Sequence, residues 1–118
     1  MIDHLSIGVT DLAKSKAFYE AALKPLGYQV KIEMENAICF GADGGDLWIG
    51  AMEPNKIHLA FSAKDRATVD EFYEAAMKAG GVDNGAPGLR PHYHENYYGA
   101  FVFDPDGSNI EAVCHKEA

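Results

Sequence analysis

The sequence predicts an α+β fold made of two tandem copies of a βαβββ module. The first observation is an internal repeat, because the heptapeptide at residues 18–24 recurs almost unchanged at residues 72–78, an offset of 54 residues. The same offset relates the segments before the heptapeptide, where His4 matches His58, and the glycines after it. A fixed period of this length indicates a duplicated supersecondary unit. Shared helix composition is the alternative, but it would not also match the flanking strand and glycine.

Each copy begins with the same two elements. Alternating apolar runs at residues 2–9 and 57–63 indicate β-strands. An aspartate then stands at a helix N-cap position, Asp11 in the first copy and Asp65 in the second. Glycine closes each helix. The helices are predicted at residues 11–24 and 65–79.

The remaining strands follow each helix. They are predicted at residues 28–34, 37–40, 47–52, 97–103 and 109–114, with a weaker signal near Val82. Residues 84–96 are rich in Gly, Pro and polar side chains and are predicted to form a long loop. Because no interdomain linker is visible, the sequence indicates one domain over residues 1–118, with a first module of about 1–53 and a second of about 54–118.

Composition excludes several classes of partner. Of the 118 residues, 47% are hydrophobic and 24% charged, which is ordinary for a globular protein. The net charge of −8 argues against nucleic acid or an anionic membrane as a partner and leaves a small molecule as the expected one. No apolar stretch is long enough to cross a bilayer, and no signal peptide is recognisable, so a cytoplasmic protein is expected. Cys39 and Cys114 lack CxxC spacing and are expected to be buried free thiols; a disulfide is the alternative.

Strand alternation brings two histidines and a glutamate to the side of the sheet that faces away from the helices. The apolar residues of the first strand share the helix side, which leaves His4 on the other. His58 holds the same place in the second copy, and Glu111 projects the same way from the last strand. Two neutral imidazoles and a carboxylate can bind one divalent ion and leave positions open for substrate. A single histidine on a strand is more often structural than a metal ligand. The metal site is supported here because all three residues share one face and the two histidines hold equivalent positions in the repeats.

Four segments carry a resemblance to a known family: IDHLSI at 2–7, FY at 18–19, IHLAF at 57–61 and FDPDGSNIE at 103–111. With these segments the chain resembles, over nearly its whole length, the vicinal oxygen chelate superfamily, which includes glyoxalase I, extradiol dioxygenases and bleomycin-binding proteins. The resemblance implies that the two modules pair into a mixed-sheet cup with the helices outside, within one chain or across a homodimer. It also implies that His4, His58 and Glu111 hold one divalent ion, such as Zn, Ni, Fe or Mn.

By this resemblance the chain is a metal-dependent lyase or isomerase of the glyoxalase type, acting on a small oxygen-chelating substrate with Glu111 as the catalytic base. An extradiol Fe(II) dioxygenase and a non-catalytic, antibiotic-type binding protein are the alternatives. Glyoxalase I has a second glutamate in the last strand of its first module. Alignment of Gly45 with Gly107 places Ile49 at that position, so inefficient lactoylglutathione lyase activity is expected. The neighbouring Trp48 is expected in the core or the cup wall.

The predicted loop and the strand after it supply the candidate substrate-binding residues Arg90, His92, His94 and Tyr97. The spacing of His92 and His94 puts both imidazoles on one side of an extended segment, where they can bind metal or contact substrate; a surface feature is the alternative. Arg90 can pair with an anionic substrate group. By resemblance to the dioxygenases, one of His92 and His94 and one of Tyr97 and Tyr98 could contact a catechol. His115 is expected to be an ordinary C-terminal histidine.

Overall fold

The structure, a computed structural model, describes residues 2–118, and Met1, with which the predicted first module begins, lies outside the described residues. The first repeat contains β1 (His4–Val9), α1 (Leu12–Leu23), a 3-10 turn (Lys24–Leu26), β2 (Gln29–Glu33), β3 (Ala37–Gly41) and β4 (Asp46–Ala51). The second contains β5 (His58–Ser62), α2 (Arg66–Lys78), β6 (Val82–Leu89), β7 (Tyr98–Phe103) and β8 (Asn109–Cys114). The predicted α+β fold of two βαβββ modules is confirmed.

The two repeats have the same sheet topology. The strand order is β1-β4-β3-β2 in one sheet and β5-β8-β7-β6 in the other. In each sheet the first and last strands of the repeat pair in parallel, and the remaining pairs are antiparallel. As a result β1 and β5, the strands that carry the two predicted histidine ligands, are edge strands.

The helices begin at the predicted caps and cover one face of the sheets. Asp11 accepts a hydrogen bond from the Lys14 N–H, and Asp65 accepts one from the Thr68 N–H. The equivalent phenylalanines of the repeat, one from each helix, are fully buried in a common core. No described helix is long and apolar enough to span a membrane. The two cysteines are buried and unbridged, as expected.

The predicted loop over residues 84–96 is wrong for its first half, because β6 continues to Leu89. The register of β6 against β7 shifts on both sides of Gly85, whose φ of +146° is a conformation that favours glycine. Pro87 is accommodated because β6 is an edge strand and needs only one row of backbone hydrogen bonds. Gly and Pro here mark a bulged edge strand, and the loop itself is short.

The first-repeat counterpart of Glu111 is Trp48, and the alignment that placed Ile49 there is wrong. Glu111 pairs with Ala60 in the second sheet. Ser6 is the repeat equivalent of Ala60, and it pairs with Trp48 in the first sheet. The strand register therefore puts the Trp48 indole, which is partly exposed, on the face that carries the predicted ligands.

Ile49 lies on the opposite face. It pairs with Ile7 and is fully buried in the core under the helices. The alignment of Gly45 with Gly107 failed because the β7–β8 connection is one residue longer than the β3–β4 connection. A one-residue error exchanges the two faces of a strand, since side chains alternate with a period of two.

Candidate active site

His58 and Glu111 meet on the face of the second sheet that is turned away from the helices. They lie on the parallel neighbours β5 and β8, where Glu111 sits opposite Ala60 and His58 precedes Ala60 by two residues. The Nε2 atom of His58 is 2.7 Å from Oε1 of Glu111. The Glu111 side chain is only 1% exposed, whereas the His58 side chain is 56% exposed. The carboxylate therefore lies at the base of the site and the imidazole at its opening.

Tyr97 supplies the second partner of the buried carboxylate. Its hydroxyl donates a hydrogen bond to Oε2 of Glu111. Burial raises the pKa of Tyr97, and the hydrogen bond to Glu111 raises it further. The phenol therefore remains a donor at neutral pH, and both oxygens of Glu111 have a partner, which a buried carboxylate requires.

An open cavity of about 540 Å³ lies over this pair. Such a volume lies in the range that suits small molecules. Its lining includes side chains of the connection between β6 and β7, and the full set is His58, His92, Tyr93, His94, Tyr97 and Glu111. Backbone hydrogen bonds join the two ends of this connection: the Arg90 N–H donates to the Tyr97 carbonyl, and the Tyr93 N–H donates to the Arg90 carbonyl.

His94 lines the cavity with both ring nitrogens engaged. Its Nδ1 accepts a hydrogen bond from the Asn96 N–H, and its Nε2 is 2.7 Å from Nδ1 of His115. In the neutral ring Nε2 therefore carries the proton and donates it to His115. Sequence reasoning missed the role of His115, although its strand parity is that of Glu111. His92, in contrast, packs against the neighbouring Tyr93 ring, tilted by 46° with 4.2 Å between the ring centroids.

The Arg90 side chain is not among those that line this cavity; it lies above the ring of Phe101, at the start of the connection that does. The guanidinium carbon is 5.3 Å from the ring centroid, and Nη2 donates to the Ala86 carbonyl at 2.9 Å. Phe101 pairs with Glu111 across β7 and β8, and its ring centroid is 6.2 Å from that of His58. Phe101 thus lies next to the site without lining the cavity; the sequence analysis did not identify it, although its pairing with Glu111 follows once the β7–β8 register is known.

His4 is not part of this cluster in a single chain. It lies on β1 of the other sheet with its side chain 57% exposed, and its Nδ1 is 3.5 Å from the exposed carboxylate of Asp3. Among residues 2–118 no group of three or more His, Cys, Asp or Glu side chains is placed to hold a metal ion. One chain thus joins two of the three predicted ligands.

The geometry of His58 and Glu111 is compatible with neighbouring positions on a metal ion. Two ligand atoms that each lie about 2.1 Å from an ion, at about 90° to each other, are about 3.0 Å apart. The observed separation of 2.7 Å needs only a small opening. A nitrogen and a carboxylate oxygen also suit Zn, Fe, Ni and Mn. The donor set fits, but it needs a third protein ligand.

Comparisons with known proteins agree with this fold. The family model for the Glyoxalase/Bleomycin resistance protein/Dioxygenase superfamily matches residues 1–112. A glyoxalase/bleomycin resistance protein from Albidiferax ferrireducens T118 is 30% identical, with a TM-score of 0.87 over 97% of this chain and 98% of its own. A putative glyoxalase from Bacillus halodurans is 25% identical, with a TM-score of 0.76 over 97% and 95%.

A lactoylglutathione lyase from Agrobacterium tumefaciens has a TM-score of 0.72 over 97% of this chain and 92% of its own. Its identity is 18%, so it shows a shared fold and nothing about the reaction. No curated protein matches the chain.

Proposed function

The chain belongs to the glyoxalase/bleomycin resistance protein/dioxygenase superfamily, and we propose that it is a divalent-metal-dependent lyase or isomerase of the glyoxalase type. The observation that carries the proposal is the buried carboxylate of Glu111, held between His58 and Tyr97 beneath an open cavity. Burying a carboxylate is costly. The fold itself does not need one there, because Trp48 occupies the equivalent position of the first repeat. A functional reason is therefore the better account of Glu111.

We propose further that a homodimer completes the metal site, with His4 from one chain and His58 and Glu111 from the other. Both histidines lie on edge strands, whose free backbone groups are available to another chain. An apolar groove of about 450 Å³ is lined by residues of both edges, including Leu5 and Phe61. A second copy of the chain would cover this apolar surface and bring the third ligand.

Each side chain then has a chemical role. A bound divalent ion would act as a Lewis acid on two neighbouring substrate oxygens. Glu111 is the only carboxylate among the described residues that line the cavity, so it is the proposed base, which accepts a proton from the carbon beside a carbonyl and returns it to the adjacent carbon. Tyr97 keeps Oε2 of Glu111 hydrogen-bonded and leaves Oε1 directed towards His58.

An extradiol Fe(II) dioxygenase is the second candidate. It is favoured by the aromatic lining of the cavity, in which the Tyr93 and Tyr97 rings are 4.8 Å apart, edge to face. A flat catechol ring would find apolar contact there, and the Tyr97 hydroxyl lies within the same lining.

Metal analysis and two activity assays distinguish these candidates. Wild-type protein is loaded separately with Zn, Ni, Fe or Mn, and His58→Ala is the comparison. A panel of α-hydroxycarbonyl compounds in D2O is then followed by NMR. The proposed function predicts metal binding that His58→Ala loses, with deuterium entering the carbon beside the carbonyl. Glu111→Gln is expected to slow this exchange about 10²–10⁴-fold.

Oxygen uptake with catechols by the Fe(II) form would contradict the lyase or isomerase and establish the dioxygenase. Wild-type protein that binds none of the four metals and catalyses no exchange would instead be a binding protein.

A further inference from the structure

We propose that the substrate of this site carries a carboxylate and that Arg90 binds it. The proposal deepens the proposed function, on which it rests for the metal-chelating end of the substrate. Arg90 forms no ion pair with any described residue, although Asp and Glu outnumber Lys and Arg by 18 to 10 in the chain. Within residues 2–118, its one side-chain hydrogen bond goes to the Ala86 carbonyl. The guanidinium therefore keeps most of its donors free, at the start of the connection that lines the cavity.

Two glycines of β6, Gly85 and Gly88, make room for this guanidinium. A Cβ atom added to Gly85 would lie 3.0 Å from Nη2 of Arg90, and one added to Gly88 would lie 3.2 Å from Nη1. The guanidinium thus lies against β6 where two side chains are missing, with its carbon above the Phe101 ring. Because these contacts fix the side chain before any ligand arrives, little rotamer entropy remains to be lost on binding.

The contacts with β6 and Phe101 leave N–H donors along the edge of the guanidinium available to a ligand. The Phe101 ring contacts the group from one side, and a guanidinium that stacks in this way still presents N–H donors along its edge. Such an edge matches the two oxygens of a carboxylate in a bidentate pair. A neutral hydroxyl or amide would use fewer donors and carry no compensating charge. The geometry therefore favours an anionic group with two oxygens, such as a carboxylate, over a neutral one.

The anion site and the metal pair lie on the same face of the second sheet. Phe101 contacts the Arg90 guanidinium and lies beside the His58 ring, so one aromatic ring separates the anion site from the metal pair. A short, bifunctional molecule can span this distance, with vicinal oxygens at His58 and Glu111 and a carboxylate at Arg90. The net charge of −8 disfavours non-specific binding of anions, so a preference for carboxylates would report a local site.

A matched pair of probes tests the proposal. Acetohydroxamate supplies two vicinal oxygens, succinic monohydroxamate adds a carboxylate, and the corresponding monohydroxamate amide replaces that carboxylate with a neutral group. Affinities are measured calorimetrically on Zn-loaded and on metal-free protein. The carboxylate probe is expected to bind wild type about 10- to 100-fold more tightly than the amide, the range for charge-assisted hydrogen bonds. Arg90→Gln is expected to remove the preference, and Arg90→Lys to keep part of it.

Arg66→Gln is the control, because Arg66 also stacks on an aromatic ring, that of Tyr98, but lies on α2 and outside the cavity. It is expected to leave the preference for the carboxylate probe unchanged. Equal affinities of wild type for the carboxylate and amide probes would overturn the proposal whatever the variants do, and so would a preference that survives Arg90→Gln. Failure of acetohydroxamate to bind the Zn-loaded protein would count against the metal site alone, because the carboxylate preference is also measured on metal-free protein.

Discussion

A buried hydrogen bond between the two repeats gives the sharpest stability prediction. The Tyr19 hydroxyl on α1 donates to Oδ2 of Asp104 at 2.5 Å, and the two residues are 0% and 4% exposed. The other oxygen of Asp104 accepts the N–H groups of Asp106 and Ser108. Tyr19→Phe leaves one buried carboxylate oxygen without its donor, so we expect a clear loss of stability.

The size of the loss follows from the charge and burial of the acceptor. A hydrogen bond to a buried charged group contributes about 1.5–3 kcal/mol. For a chain of this length that corresponds to a fall in Tm of about 6–12 °C. Tyr73→Phe is a matched control, because Tyr73 is the repeat equivalent of Tyr19 and its hydroxyl donates to Asp83 at an exposed position. We expect Tyr73→Phe to change stability by less than about 0.5 kcal/mol.

The difference between wild type and Tyr19→Phe should also depend on pH. Burial, with the neighbouring charge of Asp104, raises the pKa of Tyr19 well above its usual value. A pKa that is raised in the folded state gives stability that is complete below the unfolded value of about 10 and is lost as the pH rises. The difference should therefore be constant from about pH 7 to 9 and narrow above about pH 10, by up to about 1.4 kcal/mol per pH unit.

Urea denaturation of wild type and both variants across this pH range measures the effect. Equal losses for Tyr19→Phe and Tyr73→Phe would refute the role assigned to burial. A difference that widens above about pH 10 would refute the pH argument.

Two further pairs of variants test the site. Trp48→Glu adds a carboxylate on the ligand face and should tighten metal binding, measured in competition with a chelator. Ile49→Glu instead buries a carboxylate in the core and should lower the free energy of unfolding by about 3 kcal/mol or more. Equal stability of the two variants would contradict the register of β4 against β1. Tyr97→Phe removes the donor to Glu111 and should weaken metal affinity about 10- to 100-fold. Tyr98→Phe is the control: the Tyr98 hydroxyl donates to the exposed Asp70, so its removal should leave metal affinity unchanged. Identical metal titration curves for these two variants would refute the role of Tyr97.

The fold was predictable because the duplicated pattern reports local structure twice. The N-caps at Asp11 and Asp65 and the apolar alternation of the strands are properties of short segments, and the structure agrees with them. The meeting of His58 and Glu111 was also within reach, since strand parity puts both on one face and the repeat places their strands together.

The rest depended on contacts that local patterns do not report. Trp48 was missed because one extra residue in the β7–β8 connection changes strand parity, and turn composition does not reveal that length. The partner of Tyr97 depends on how the connection after β6 folds back over β8, which is tertiary information. The His94–His115 contact was missed for the same reason, because it joins two segments that are distant in sequence.

The central claim, a metal site shared between two chains, is tested most directly by mixing two inactive variants. His4→Ala and His58→Ala, each with a different affinity tag, are refolded together, and the mixed dimers are purified and titrated with Zn. Wild-type dimers should bind two ions and each variant alone should bind none tightly. The mixed dimer should bind one ion, because the wild-type His4 of one chain meets His58 and Glu111 of the other. A mixed dimer that binds none, or single variants that bind as wild type does, would contradict the shared site.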